Sequence, residues 1–160
     1  MRFATLEPYK KLFQLRYDQL KKEKGNHSPN SDFVGLDGKL YSIDNFKGKY
    51  IYIDLWASWC SPCIAQIPHL KGLEEKYKEK VNFISIAWND NKDNWEKAVQ
   101  KYSLNGNQLF ASDKNAEFFN FYNVSSIPRF ILLDRDGSII ESNAKQPSDK
   151  SLDEQLNNLK

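Results

Sequence analysis

The sequence predicts an α/β fold in which a mixed β-sheet carries helices on both of its faces. Segments of strand length alternate with longer segments whose apolar residues recur at helical spacing. Two of the strand-like segments are apolar almost throughout, as expected of strands covered on both sides. Near the C-terminus, two short strands joined by a turn add an antiparallel pair to the sheet.

The N-terminal part of the chain predicts an appended helix. Apolar residues recur every three or four positions over 5–24, which indicates an amphipathic helix. Gly25 favours the end of this helix, and the turn-forming stretch 25–31 has the composition of a linker. We therefore expect residues 1–29 to form an N-terminal helix and linker, and residues 30–160 to form the main domain.

The first half of that domain combines a hairpin, a strand and a helix. Asp37-Gly38, between two apolar stretches, predicts an N-terminal β-hairpin. The stretch YIYIDLWAS at 50–58 is rich in aromatic and β-branched residues and predicts a central, buried strand. From the CSPC sequence at 60–63 onward, helical spacing continues to Lys80, which predicts one long helix.

The second half continues the alternation with a buried strand, two helices, a hairpin and a last helix. The predicted segments are, in order, 81–88, 93–103, 115–122, 129–133 paired with 138–142, and 147–159. A strand–helix–strand passage within one sheet gives parallel strands joined by a right-handed crossover.

Charge and hydropathy exclude several classes of protein. The formal net charge is only +2, from 23 basic and 21 acidic residues, so no nucleic-acid partner is expected. The sequence has no run of about twenty apolar residues, so it predicts no transmembrane helix. The first residues lack the apolar segment of a secretory signal peptide. We expect either a cytosolic protein or a piece of a longer precursor.

The two cysteines, Cys60 and Cys63, point to redox chemistry. Two cysteines are too few for a disulfide framework or for a four-ligand zinc site, so no metal and no other cofactor is expected. The pair lies where a buried strand passes into a helix, and the N–H groups of a helix start favour a thiolate at Cys60. Cys60 would attack a disulfide, and the less exposed Cys63 would release the product.

Other interpretations of the pair remain open from the residues alone. A CxxC pair can be half of a zinc site or have no function. A thiol peroxidase is a second enzymatic hypothesis, although the usual Pro-x-x-x-Thr/Ser-x-x-Cys context is absent. A third hypothesis is a binding or sensor module whose disulfide switches a surface without turnover.

The residues around the pair resemble a known family. The stretch DLWASWCSPC at 54–63 is similar to the thioredoxin signature, Pro68 matches the proline that kinks the thioredoxin active-site helix, and Ile127-Pro128 matches the family's cis-proline site. The resemblance covers about 30–160 and is strongest to the TlpA/ResA-like, extracytoplasmic branch, particularly its Bacteroidetes members. It implies a thioredoxin-like fold and a thiol–disulfide oxidoreductase.

The resemblance assigns a proton acceptor. Asp54 aligns with the buried aspartate that accepts the proton of the resolving cysteine, and a carboxylate in an apolar strand is costly enough to suggest a function. The ResA-like branch commonly has a glutamate three residues after the second cysteine, where this sequence has Gln66. Any proton-transfer role of that glutamate is therefore lost or falls to Asp54.

The resemblance also predicts the substrate-binding residues. Pro128 is expected to form a cis peptide bond that sets the backbone of Ile127 beside Cys60, ready to pair with an extended substrate segment. Trp59, Ser61 and Pro62 complete the expected contact surface.

We further expect substrate proteins with disulfides and a thiol-donating redox partner. The thioredoxin-like flanks of the cysteines favour reduction over oxidation. The resemblance implies an extracytoplasmic, periplasmic location, with a membrane tether in a full-length precursor. We expect the protein to be a monomer.

Overall fold

The computed structural model describes residues 7–23 and 25–160, and over these ranges the chain forms seven strands and six α-helices. The strands are β1 (Phe33–Gly35), β2 (Leu40–Tyr41), β3 (Tyr50–Trp56), β4 (Val81–Ala87), β5 (Asn107–Phe110), β6 (Arg129–Leu133) and β7 (Ile139–Glu141). The α-helices are α1 (Glu7–Glu23), α2 (Ser61–Ala65), α3 (Ile67–Tyr77), α4 (Lys92–Lys101), α5 (Ala116–Phe121) and α6 (Lys150–Asn158).

All seven strands form one mixed sheet in the order β2-β1-β5-β4-β3-β6-β7. β3 pairs in parallel with β4, and β4 pairs in parallel with β5, through crossovers that contain helices. The other pairings are antiparallel. β3 therefore has a partner on each side, and it carries the loop that leads to the cysteines.

Helices cover both faces of this sheet. Because side chains alternate along a strand, β3 directs Ile51, Ile53 and Leu55 into a core shared with α5. Tyr52 and Trp56 belong to the opposite face, in the two clusters built with α3 and α6 and with α4. The predicted α/β fold, a mixed sheet with helices on both faces, is confirmed.

Two elements differ from the sequence-based expectations. The expected long helix is broken at Gln66, which ends α2 and precedes α3, and α3 stops at Tyr77 rather than Lys80. Pro68 in the first turn of α3 lacks the N–H that a continuous helix needs. In addition, the unpredicted strand β5 joins the N-terminal hairpin to the central strands.

The N-terminal helix forms over Glu7–Glu23, and the predicted positions 5, 6 and 24 lie outside the described residues. Beyond it, residues 25–28 pair with the turn before β7. The N–H groups of Gly25 and Ser28 donate to the carbonyl groups of Ile139 and Gly137 at 3.1 and 2.9 Å. This stretch, expected to be a linker, is therefore bonded alongside β7, with one isolated β-bridge between His27 and Ser138.

None of the helices in the described part of the chain is long and apolar enough to cross a lipid bilayer.

Candidate active site

Cys60 occupies the position just before the first turn of α2. Its backbone is extended, and its sulfur accepts a hydrogen bond from the N–H of Cys63 at 3.3 Å. Pro62, in the first helical turn, costs no hydrogen bond there because its missing N–H would have no partner within the helix. Since α2 has only five residues, this local N–H, rather than the dipole of a long helix, is the group placed to stabilise a thiolate on Cys60.

The two cysteines form a disulfide, with their Cα atoms 5.3 Å apart. Cys60 is 3% exposed and Cys63 is 4% exposed, so the expectation that Cys63 is the less exposed of the two was wrong for the disulfide form. Both sulfurs belong to an apolar cluster that includes Trp56 and Trp95, which shields them equally.

Asp54 lies below the disulfide. It occupies β3 between Tyr52 and Trp56, and its carboxylate accepts a hydrogen bond from the hydroxyl of Ser85 at 3.3 Å. Asp54 and Cys63 line the same small cavity. Burial away from water raises the pKa of Asp54 to about 7, a nearby carboxylate adds to the rise, and the Ser85 hydrogen bond opposes it. A carboxyl group in this state can exchange protons at neutral pH.

Gln66, which cannot exchange a proton as a glutamate would, makes a structural hydrogen bond instead. Its side-chain oxygen accepts a hydrogen bond from the N–H of Ser148, at 2.9 Å, and so ties the break between α2 and α3 to the loop before α6.

The Ile127–Pro128 peptide bond is cis. Both residues are half-buried, and Ile127 packs against the cluster that contains the two cysteines. The guanidinium of Arg129, which follows them, donates two hydrogen bonds to the carbonyl of Ser142, at 3.1 and 2.6 Å. That contact anchors the start of β6 to the strand beside it.

The expected substrate contacts of the CxxC loop face solvent. Ser61 and Pro62 are exposed, and Trp59 is 56% exposed. The indole N–H of Trp59 donates to the carbonyl of Asn89 at 2.8 Å. This bond holds a large apolar surface in a fixed orientation beside the buried disulfide.

Two acidic residues of the site were missed by the sequence analysis. The carboxylate of Asp90 accepts hydrogen bonds from both the N–H and the hydroxyl of Ser58, each at 2.7 Å, and so positions the loop before Cys60. Glu74 lines the cavity of Asp54 and Cys63, and burial raises its pKa to about 7. Glu74 is one of several charged residues on α3, and no local signal in the sequence marks it as a residue of the site.

Comparison with known families identifies the relationship. The family model described as Redoxin matches residues 23–156, which is most of the chain. The chain belongs to the redoxin family. A curated relative of this redoxin, the thiol-disulfide oxidoreductase ResA of Bacillus thuringiensis subsp. konkukian, is 31% identical over 140 residues, which cover 87% of this chain and 80% of the relative.

Solved structures agree with this assignment. A crystal structure of a Bacteroides vulgatus protein described as a thiol-disulfide oxidoreductase has a TM-score of 0.79 at 28% identity and covers 86% of this redoxin and 96% of that chain. A solution structure from the same organism, with the same description, is 44% identical with a TM-score of 0.74 and covers 82% and 87%. Together with the CxxC pair, these matches confirm a thioredoxin-superfamily, TlpA/ResA-like thiol–disulfide oxidoreductase.

Proposed function

We propose that this redoxin reduces disulfide bonds in other proteins. The observation that carries the proposal is the hydrogen bond from the N–H of Cys63 to the sulfur of Cys60, because the same donor would stabilise a Cys60 thiolate. In the reduced enzyme, the Cys60 thiolate attacks one sulfur of a substrate disulfide. A mixed disulfide forms, and the first substrate thiolate leaves.

Cys63 completes the reaction in this scheme. Its thiol gives its proton to the Asp54 carboxylate, and the resulting thiolate attacks the Cys60 sulfur of the mixed disulfide. The Cys60–Cys63 disulfide forms, the second substrate thiolate leaves, and two electrons have passed to the substrate. The shared cavity and the raised pKa of Asp54 support this role.

We assign substrate contact to the residues around the disulfide. Trp59, Ser61 and Pro62 offer an exposed surface on one side, and Ile127 with the cis bond to Pro128 offers a backbone on the other. Such a pair of surfaces suits an extended polypeptide that carries the target disulfide.

The remaining parts of the proposal follow from the relationship to ResA-like proteins. They are an extracytoplasmic location, a thiol-donating redox partner that returns the enzyme to its dithiol form, and a monomeric state. We also propose that residues 30–160 form the catalytic domain and that residues 1–29 are its N-terminal extension.

Catalytic reduction of insulin, with dithiothreitol as the electron source, tests the activity. We expect the wild-type protein to accelerate reduction and Cys60→Ser to abolish the acceleration. Cys63→Ser should instead accumulate a mixed disulfide with the substrate, visible by mass spectrometry. A wild-type protein that forms a reversible disulfide but never turns over insulin would support a redox-switched binding module in place of a reductase.

The direction of electron flow is tested by equilibrating the protein in graded glutathione or dithiothreitol buffers. We expect a reduction potential in the thioredoxin range, about −270 mV. A potential of about −120 mV would assign an oxidant and overturn the proposed direction.

A further inference from the structure

The cavity beneath Cys63 contains more polar groups than the proposed reaction uses. Its volume is ≈ 10 Å³, and the polar side chains on its wall come from β3, β4, β5, α3 and the loop before β5. Asp54 and Glu74 contribute two carboxyl groups, and Lys71 contributes an amino group. The uncharged polar side chains are those of Ser85, Asn105 and Gln108. A single carboxyl would suffice to accept the proton of Cys63, so the second one requires an explanation.

Two residues that line this cavity each have a buried polar atom with no hydrogen-bond partner among the described residues. One is the indole nitrogen of Trp56, a donor on a side chain that is 2% exposed. The other is the side-chain oxygen of Gln108, an acceptor on a side chain that is 6% exposed. Since buried polar groups are normally satisfied, an unpartnered donor and an unpartnered acceptor on two residues that line one cavity indicate a bound water. The cavity volume is at the lower limit for one water molecule.

Glu74 connects this cavity to the protein surface. The same residue lines an open groove of ≈ 250 Å³ between α3 and the loop that precedes β5. The close approach of that loop to Glu74 depends on Gly106, because a Cβ there would lie 3.3 Å from a Glu74 carboxylate oxygen. Glu74 thus has the buried cavity on one side and the groove on the other.

We propose that Glu74, together with one water held by Trp56 and Gln108, transfers the proton of Cys63 from Asp54 to the surface groove. The proposal rests on the reductase function proposed above. Cys63 gives its proton to the Asp54 carboxylate as its sulfur attacks the mixed disulfide. Asp54 passes a proton through the water to the Glu74 carboxylate, and Glu74 releases it to solvent. Both carboxylates are regenerated, and the electrons stay with the sulfurs.

The surroundings of the pair suit this exchange. Lys71 on α3 is the cation that lowers the pKa of Glu74, and its amino group donates to the carbonyl of Tyr102 at 2.6 Å. Tyr52 on β3 also interacts with the charge of Asp54. The cavity wall contributed by β4 and β5 is uncharged, and Glu75 and Lys78 line only the outer groove. Burial raises the pKa of both carboxyls to about 7, so a proton can move between them with little change in free energy.

The first test is a carboxyl titration by NMR of the oxidised wild-type protein and Glu74→Gln, which requires no turnover. Removing the Glu74 charge should lower the pKa of Asp54, because a like charge near a carboxyl raises its pKa. Glu75→Gln is the matched control, since Glu75 is exposed and pairs with Lys78. It should leave the Asp54 titration unchanged. An unchanged Asp54 pKa in Glu74→Gln would overturn the coupling on which the relay depends.

The second test measures how fast a preformed mixed disulfide at Cys60 is resolved by Cys63, as a function of pH. We expect Glu74→Gln to slow resolution about fivefold at pH 7 and to approach the wild-type rate near pH 9, where hydroxide removes the thiol proton directly. Attack by Cys60 on a fresh disulfide should keep its rate. A wild-type resolution rate in Glu74→Gln across this pH range would overturn the relay.

A second variant separates proton transfer from folding. Gln108→Met keeps the approximate size of the side chain and removes the oxygen that would hold the water, together with the Nε2 donor to the carbonyl of Asn105. It should slow resolution, and a circular dichroism spectrum like that of the wild type shows that the fold is kept. If Gln108→Met resolves the mixed disulfide at the wild-type rate, the bound water takes no part in the proton transfer. Failure of the wild-type protein itself to resolve mixed disulfides would instead contradict the proposed function, and the NMR titration would still report on the carboxyl pair.

Discussion

Asp54 shares its face of β3 with Tyr52 and Trp56, so its carboxyl occupies a position that packing alone would give to an apolar side chain. Ser85 gives it one hydrogen bond, which offsets only part of the cost of losing water. The folded protein therefore holds a proton on Asp54 more tightly than the unfolded chain does. By linkage, this preference makes the stability of the fold depend on pH.

Asp54→Asn should stabilise the oxidised protein in alkaline solution. The unfolded chain ionises near 3.8 and the folded protein near 7, so wild-type stability falls as pH rises across that window, by at most about 4 kcal/mol for this group. The amide of the variant does not ionise. Urea unfolding at pH 8 should favour the variant by about 2–4 kcal/mol, and the advantage should vanish near pH 4. A variant no more stable than wild type at pH 8 would contradict the raised pKa of the Asp54 carboxyl.

The sequence predicts those residues of the site that a motif or a local pattern marks. Cys60, Cys63 and Asp54 stand in one continuous stretch, where motif spacing and an acid within an apolar strand make them visible. Glu74 is one of several charged residues on an amphipathic helix, and its burial depends on the packing of α3 against the loop before β5. That packing joins segments about thirty residues apart, which no local pattern encodes.

At the scale of elements, a buried asparagine joins the start of β1 to the turn before α5. The amide nitrogen of Asn115 donates to the hydroxyl of Ser31 and to the carbonyl of Asp32, both at 2.7 Å, and its oxygen accepts from the N–H of Ser112 at 2.9 Å. Asn115 is 2% exposed, so its amide depends on these bonds for hydrogen-bond partners.

Asn115→Ala should lower the free energy of unfolding by about 1–3 kcal/mol, because it removes three hydrogen bonds of a buried side chain. Denaturation by urea measures the change. Asn120→Ala, at an exposed position of α5, is the matched control and should change stability by less than about 0.5 kcal/mol. Equal effects of the two variants would show that the Asn115 bonds do not connect these elements.

Removal of the two parts of the N-terminal extension should have different effects on stability. A chain that begins at residue 25 keeps the pairing of 25–28 with the turn before β7 and the 2.5 Å hydrogen bond from the Tyr122 hydroxyl to Ser28. It should retain wild-type stability. A chain that begins at residue 30 loses these bonds, and we expect its free energy of unfolding to fall by about 2–3 kcal/mol. Equal stability of the two chains would place the domain boundary at residue 30, as the sequence suggested.

The elements that the sequence predicted well are those with strong periodicity or unbroken apolar runs, such as β3 and β4. β5 was missed because its four residues, NQLF, show neither signal and become a strand only through pairing with β4 and β1. The break between α2 and α3 was expected only as a kink at Pro68 and not as a boundary at Gln66, because the apolar stripe runs through Gln66 without a change of phase.

At the scale of the whole molecule, a reductant requires a fold that favours its own disulfide. The Cys60–Cys63 bond closes a short loop whose geometry the start of α2 already imposes. Reduction introduces two thiols into the same apolar cluster. The oxidised protein should therefore be the more stable form.

Comparison of urea unfolding with and without dithiothreitol tests this expectation. We expect the reduced protein to be less stable by about 2 kcal/mol, the chain-entropy value for so short a loop. Cys60→Ser, which has no disulfide in either condition, is the control and should not respond to dithiothreitol. Greater stability of the reduced form is the signature of an oxidant and would contradict the proposed direction.

The two edges of the sheet affect how readily the protein aggregates in concentrated solution. At one border β2 has only two residues, and at the other β7 is covered by residues 25–28, with Pro29 immediately after them. A short border and a proline-flanked border both offer little backbone for another chain to continue the sheet. Fibril formation by edge-to-edge growth is thereby discouraged.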